Sequence, residues 1–258
     1  MEDRVVVITG ASAGIGAALA ETMGKRGARC VLVARRAREL REVAARSGPK
    51  AVCVTADVTR RADVARAFDE ATRAFGRVDV WVNNAGRGIT RLVSELTDED
   101  VDEMMLVNVK AVLYGMQVVL PHFKANGRGH IINVSSLLGR VPLAPFRSAY
   151  AASKHAMNAL TANLRMELGP KFPGIHVSCV HPGVVATDFG SNARHGGMDS
   201  RKLPNAQTAA EVAEVIAGVI ESPRADVYTR PGAREMIVAY YSADDMGEAE
   251  RRPPFMQA

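Results

Sequence analysis

The feature that most constrains this chain is an alternation. Short, continuous apolar and β-branched runs are separated by longer stretches whose apolar residues recur at helical spacing. Val5–Thr9, Arg29–Ala34, Ala51–Thr55, Val78–Val82, His130–Val134, Ile175–Val180 and Asp226–Thr229 read as strands. Between them, Ile15–Lys25 and Glu39–Arg46 read as helices, and Val64, Phe68, Ala71 and Phe75 mark a third that stops at Gly76. Thr97 opens a T-x-x-D start signal ahead of Val101, Met104, Met105 and Val109; Pro121 and the glycines around Arg128 are expected to break that long helix. Ser148–Leu168 is a long helix ended by Gly169-Pro170, and Thr208 with Glu211 caps a last one. Strands that are apolar on both faces require helices on both sides of a parallel sheet. The expected fold is α/β, one doubly wound domain with about seven parallel strands.

No linker interrupts Val5 to Tyr228, so a single domain is expected over residues 1–258, with its core at about 4–230. The aperiodic stretch 189–205, which carries Gly196-Gly197, is expected to form a lid, and 231–258 to form a tail. A formal charge of +5 and the basic run Arg35, Arg36, Arg38 and Arg41 lack the aromatic interleaving of a nucleic-acid surface. Cys30, Cys53 and Cys179 sit in apolar contexts without a C-x-x-C pair, as reduced core thiols do. The N-terminus runs directly into a strand, and no uninterrupted apolar run approaches the ~18 residues of a membrane span. These observations lead to an expected cytoplasmic location.

The first strand ends in Thr9-Gly10-Ala11-Ser12-Ala13-Gly14-Ile15-Gly16. Glycines at a strand-to-helix turn let the backbone approach a pyrophosphate, and the next helix N-terminus attracts the anion. This points to a Rossmann-type nucleotide site. Tyr150 and Lys154 lie four apart on a predicted helix and share a face. A phenol titrates near ~10, and a neighbouring ammonium favours the phenolate. A phenol so tuned can exchange a proton with a carbonyl or alcohol oxygen during hydride transfer, and Ser136 can hold that oxygen by a hydrogen bond.

The glycine spacing resembles the T-G-x-x-x-G-x-G turn of the short-chain dehydrogenase/reductase family, and other motifs follow in the family's order. Asn83-Asn84-Ala85-Gly86 resembles N-N-A-G, Tyr150-Ala151-Ala152-Ser153-Lys154 matches Y-x-x-x-K, and Pro182-Gly183 with Thr187 resembles P-G-x-x-x-T. The resemblance covers roughly residues 4–230. It implies a catalytic set of Asn108, Ser136, Tyr150 and Lys154, with Lys154 also holding the nicotinamide ribose and Asn108 positioning a relay water. It places the cofactor on Gly10, Ser12, Gly14, Ile15, Gly16, Asp57, Val58, Asn84, Ala85, Gly86, Pro182, Gly183 and Thr187. The Ser136–Tyr150 spacing is one residue longer than usual in the family. Ser135 is the alternative; Ser136 is preferred because it directly precedes Leu137-Leu138-Gly139.

Nucleotide choice rests on the end of the second strand. Ala34 stands where an NAD-binding fold often carries an acid, and Arg35 and Arg36 follow. An acid would repel a 2′-phosphate, whereas an Arg can bind it through a charge-assisted fork. NADP(H) is therefore expected over NAD(H). Arg35 is the first choice of ligand, with Arg36 turned away at the helix start and Ser12 as a further donor.

The six histidines show no ligand spacing, so no metal is expected, and Trp81 reads as core packing. The functional expectation is a carbonyl reductase or alcohol dehydrogenase. The alternative is a catalytically silent, NADP(H)-sensing regulator on the same fold. Apolar residues of the lid and tail (Phe189, Met198, Leu203, Met236, Ile237) suggest a lipophilic substrate. Small and apolar residues on the helices near Val101–Leu120 and Ser148–Leu168 suggest a homo-oligomer, with a tetramer expected.

Overall fold

The computed structural model describes residues 1–252; the tail positions 253–258 lie outside the described residues. Seven strands, β1 (Val5–Thr9), β2 (Arg29–Ala34), β3 (Ala51–Thr55), β4 (Val80–Asn83), β5 (Gly129–Val134), β6 (Ile175–His181) and β7 (Asp226–Tyr228), form one sheet. Every pairing is parallel, in the order β3-β2-β1-β4-β5-β6-β7. The α/β class, the strand number and the parallel pairing agree with the sequence.

Two layers of helices cover the sheet. On one face pack α1 (Gly14–Lys25), α2 (Ala37–Arg46) and α7 (Ala209–Glu221). On the other pack α3 (Arg61–Phe75), α5 (Ala111–Asn126) and α6 (Ser148–Leu168), while α4 (Asp98–Met105) precedes α5. Strand alternation explains why both layers find apolar partners. In β1, Val6 and Ile8 join the first core and Val5 and Val7 the second. Chain connections diverge between β1 and β4, so the carboxyl ends of these strands open a crevice at the switch point.

Three local features depart from the sequence reading. Pro121 lies inside α5, which runs on to Gly127 in the left-handed conformation (φ 66°). A proline in a helix interior costs about 3 kcal/mol. Burial of Met116, Val119 and Phe123 on the turns around it holds the helix through that cost. A π turn, Leu106–Lys110, joins α4 to α5 and carries Asn108. The tail, unassigned from sequence, forms α8 (Ala233–Tyr241) and α9 (Met246–Glu250), with Ile237 and Tyr240 packed against Leu137 and Val141.

The helical run Asp98–Asn126 is long and apolar enough to cross a membrane by length and composition alone, with a mean hydropathy of 1.4. It does so as an average over mixed residues, which a search for uninterrupted apolar runs passes over. Here it is a core helix, with Val112, Met116, Val119 and Phe123 against the sheet. Beneath the crevice a buried polar ladder links the strands. Trp81 Nε1 donates to Asn83 Oδ1 (2.8 Å), Asn83 Nδ2 to Asn133 Oδ1 (2.8 Å), and Asn133 Nδ2 to Thr161 Oγ1 (2.9 Å).

Candidate active site

The nucleotide end of the crevice is built from backbone. Gly10 has φ +66°, and a methyl group there would lie 2.8 Å from Ala85 Cα. A methyl on Gly16 would lie 2.5 Å from both Gly10 O and Asn84 Nδ2. Thr9 Oγ1 accepts from the N–H groups of Asn84 (3.0 Å) and Ala85 (3.2 Å), and Asn84 Nδ2 donates to Thr9 O (2.9 Å). The glycine turn and the Asn84-Ala85-Gly86 segment are thereby stitched together. Gly14 and Ile15 open α1, whose N-cap, Ala13, offers no side-chain acceptor. The first N–H groups of the helix are left to an anion. Thr187 closes the other side, with its Cγ2 3.3 Å from where a Gly14 methyl would sit. This cradle, with room only for backbone, fits a dinucleotide pyrophosphate.

At the end of β2 the two arginines divide differently from expectation. Arg36 turns back over the glycine turn, its Nη2 and Nε 3.1 Å and 3.3 Å from Ser12 Oγ. Arg35 is exposed. Arg36 is the N-cap of α2, in extended geometry (φ −85°, ψ 93°), and its side chain reaches the turn after β1. Asp57 Oδ1 accepts from Thr59 N (3.0 Å) and Thr59 Oγ1 (2.8 Å), fixing the turn after β3, while Val58 packs on the second core.

At the other end, Tyr150 and Lys154 share the buried face of α6. The Ser136 hydroxyl faces the phenol and draws its pKa down, whereas Ser135 Oγ donates to Asn158 Oδ1 (2.6 Å) and points elsewhere. The geometry favours Ser136 over Ser135. The Ser136 side chain caps the 3-10 turn Leu137–Gly139 by accepting from Leu138 N (3.1 Å). Burial dominates the phenol and raises it to about 12, against the pull of Ser136 and the Arg147 charge. Lys154 Nζ donates to Val134 O (2.9 Å) and sits 5.7 Å from the Tyr150 ring centroid; burial lowers it to about 8. The Arg147 charge also reaches the phenol, from a residue the motif reading did not single out.

Asn108 is completely buried and fully engaged. Its Nδ2 donates to Arg87 O (2.9 Å) and Ser153 Oγ (3.0 Å), and its Oδ1 accepts from Arg87 N (3.0 Å). A methyl on Gly86 would lie 3.1 Å from Asn108 Oδ1 and 3.7 Å from Lys154 Nζ, so all three meet in one place. The π turn swings Asn108 inward to reach this point, and such turns recur at functional sites.

Pro182 and Gly183 follow β6, and Leu137 N donates to Pro182 O (2.8 Å), tying this loop to Ser136. Residues 189–205 cross above. Phe189 packs on Tyr150 with ring centroids 5.5 Å apart, which leaves Tyr150 only 7% exposed. The segment is latched at its middle: Arg194 pairs with Asp100 and Glu103, and His195 Nε2 lies 2.7 Å from Asp100 Oδ1.

Strands β6 and β7 bring Cys179, His181 and Asp226 within 4.8 Å of one another, a cluster invisible in the sequence spacing. Arg140 and Arg165 both bond Asp226, placing two guanidinium charges where a cation would sit. Burial pushes the Cys179 thiol up to about 12. The arrangement is a half-buried ion-pair network at the sheet edge.

A family model described as short chain dehydrogenase matches residues 4–197. The chain belongs to the short-chain dehydrogenases. Among relatives of this dehydrogenase, an uncharacterized oxidoreductase of Bacillus subtilis is 34% identical over 250 residues, covering 92% of this chain and 68% of that one. A short-chain dehydrogenase/reductase from Burkholderia phymatum, in complex with NAD, superposes with a TM-score of 0.87 at 26% identity, covering 100% of this chain and 98% of that one. An alcohol dehydrogenase from the archaeon Thermococcus sibiricus, complexed with 5-hydroxy-NADP, superposes with a TM-score of 0.77 at 28% identity, covering 88% and 96%. The dehydrogenase is thus an oxidoreductase of the alcohol–carbonyl kind, with a Rossmann-type domain and small-molecule substrates. Its structural neighbours hold both types of nicotinamide cofactor.

Proposed function

We propose that this dehydrogenase is an NADP(H)-dependent carbonyl reductase or alcohol dehydrogenase in which Tyr150 is the general acid/base. The observation that carries the reading is the convergence of Tyr150, Ser136 and Lys154 at the crevice end opposite the glycine cradle. Gly10, Ser12, Gly14, Ile15, Gly16, Asn84, Ala85, Gly86 and Thr187 would hold the nucleotide, with Asp57 and Val58 beside its adenine and Pro182-Gly183 beside its nicotinamide. When bound, the nicotinamide supplies or accepts the hydride. Ser136 holds the substrate oxygen in line with the Tyr150 phenol. Tyr150 gives that oxygen a proton in reduction and takes one in oxidation. Lys154, only weakly basic where it is buried, holds the ribose and lowers the phenol's proton affinity. Asn108 fixes the Arg87 backbone next to Gly86 and positions a relay water.

Arg36 with Ser12 would grip a 2′-phosphate, and Arg35 would add long-range attraction. Residues 189–205 act as the lid, Phe189 excluding water from Tyr150. The partly covered apolar helix Asp98–Asn126, 44% buried over its most apolar window, supports pairing into a homotetramer, tested by light scattering at micromolar concentration. Three free cysteines suit a reducing, cytoplasmic setting.

The test of function is NADPH consumption across a panel of ketones and aldehydes. Turnover supports the enzyme. Tight NADPH binding without turnover of any carbonyl supports the silent, NADP(H)-sensing regulator instead.

A further inference from the structure

Arg87, Arg91, Arg147 and Arg194 lie around the lid segment, and three of them have carboxylate partners. Arg87 pairs with Glu103, Arg91 with Asp100 (3.1 Å), and Arg194 with both acids. Arg147 has no carboxylate partner among the described residues. Among the described residues its guanidinium donates from Nη1 to Ile89 O (3.2 Å) and lies 5.7 Å from the Phe146 ring centroid.

Position makes that charge informative. Arg147 is the N-cap of α6, three residues before Tyr150, so the two side chains emerge on one face. Its guanidinium is flanked by glycines. A methyl on Gly88 would lie 3.1 Å from Arg147 Nη1 and 3.0 Å from Phe189 Cε1, the ring that packs on Tyr150. A methyl on Gly197 would lie 3.3 Å from Arg147 Nη2 and 2.9 Å from Thr90 Oγ1. That Thr90 hydroxyl is buried and has no hydrogen-bond partner among the described residues. A buried donor left unmade is costly, and so is a half-buried cation without a counter-charge. Burial also pushes the Arg147 guanidinium down, with the Tyr150 phenolate opposing it.

We infer that Arg147 and Thr90 form an anion subsite beside Tyr150, and that the substrate is a carbonyl or alcohol bearing a carboxylate or phosphate. This rests on the enzymatic reading above. The anionic group docks on the guanidinium under the lid, and the reacting oxygen meets Ser136 and Tyr150. Phe189 then covers the apolar part between them. Gly88 and Gly197 let the segment close on the guanidinium: a methyl on Gly197 would lie 2.4 Å from Gly190 O.

The test uses matched pairs: 4-oxopentanoate against its methyl ester, and dihydroxyacetone phosphate against dihydroxyacetone. The readout is the anionic-to-neutral ratio of kcat/KM with NADPH. Charge-assisted pairing predicts a ratio of about 10–100 in the wild type for one pair, and the pair that responds separates carboxylate from phosphate. Arg147→Gln should lower the ratio by that factor, and Arg147→Lys should retain part of it. Thr90→Val, which keeps the side-chain shape, should lower it severalfold. Any general effect of Arg147 on Tyr150 moves both members and cancels in the ratio. Calorimetric titration of inorganic phosphate into NADP⁺-saturated protein is the second arm, with binding weakened in Arg147→Gln. Turnover with a ratio unchanged by all three variants, and phosphate binding equally unchanged, overturns the subsite and leaves the enzyme standing. No turnover, with phosphate binding that depends on Arg147, overturns the enzyme and leaves the subsite. No turnover and no Arg147-dependent binding overturns both.

Discussion

Replacing Arg36 with Ala should weaken NADPH binding about tenfold and leave NADH nearly unchanged. Arg36 holds two donor atoms 3.1 Å and 3.3 Å from Ser12 Oγ, on the rim where a 2′-phosphate would lie. A hydrogen bond to a charged group contributes about 1.5–3 kcal/mol. The Arg36 side chain is 52% exposed, so solvent screening favours the low end, and ~1.5 kcal/mol corresponds to roughly tenfold in Kd. Its competing partner, Glu39, is 3.9 Å away and holds it weakly. The assay is titration of both nucleotides into the wild type, Arg36→Ala, Arg35→Ala and the double variant Ala34→Asp/Arg35→Ala. Arg35→Ala should matter less than Arg36→Ala. The double variant should lose NADPH and favour NADH, because the new carboxylate repels the phosphate. NADPH affinity equal in all four proteins would refute the reasoning.

Two further outcomes follow from packing and protonation. Gly16→Ala puts a methyl 2.5 Å from Gly10 O and Asn84 Nδ2; it should destabilise the fold by about 1–3 kcal/mol in urea unfolding and impair nucleotide binding, and wild-type values for both would contradict the close approach. Burial, aided by the His176 and Arg4 charges, lowers His130 from 6.5 to about 3. The unfolded chain therefore takes up a proton between those values that the folded chain refuses, so stability falls as pH drops from 6.5 towards 3. His130→Gln should flatten the Tm–pH slope in that window, and an unchanged slope would exclude His130 as its source.

Much of the architecture was legible because strand and helix periodicities and the glycine turn are local signals. β1 through β7 and the cradle at Gly10–Gly16 follow from residues close in sequence. The choice of Ser136 was made from its place before Leu137-Leu138-Gly139; the engagement of Ser135 with Asn158 Oδ1, 23 residues away, could not be read there. What escaped depends on contacts between distant residues. The continuation of α5 past Pro121 depends on burial of Val119 and Phe123 against the sheet. The π turn at Asn108 depends on its bonds to Arg87 and Ser153. Arg36, expected to turn away, instead reaches Ser12 across the glycine turn, a contact between residues 24 apart in sequence. Cys179, His181 and Asp226 meet only because β7 lies beside β6. The lone charge of Arg147 is recognisable only after Asp100 and Glu103 are seen to be taken by the other arginines.

The central claim is that Tyr150 moves the proton, and Tyr150→Phe tests it most directly because the ring remains and only the hydroxyl is lost. With a carbonyl substrate found in the NADPH screen, single-turnover kinetics and NADPH titration are measured on both proteins. The expected result is a fall of ~10²–10⁴ in the rate of the chemical step with NADPH affinity unchanged. Near-wild-type turnover by Tyr150→Phe would contradict it.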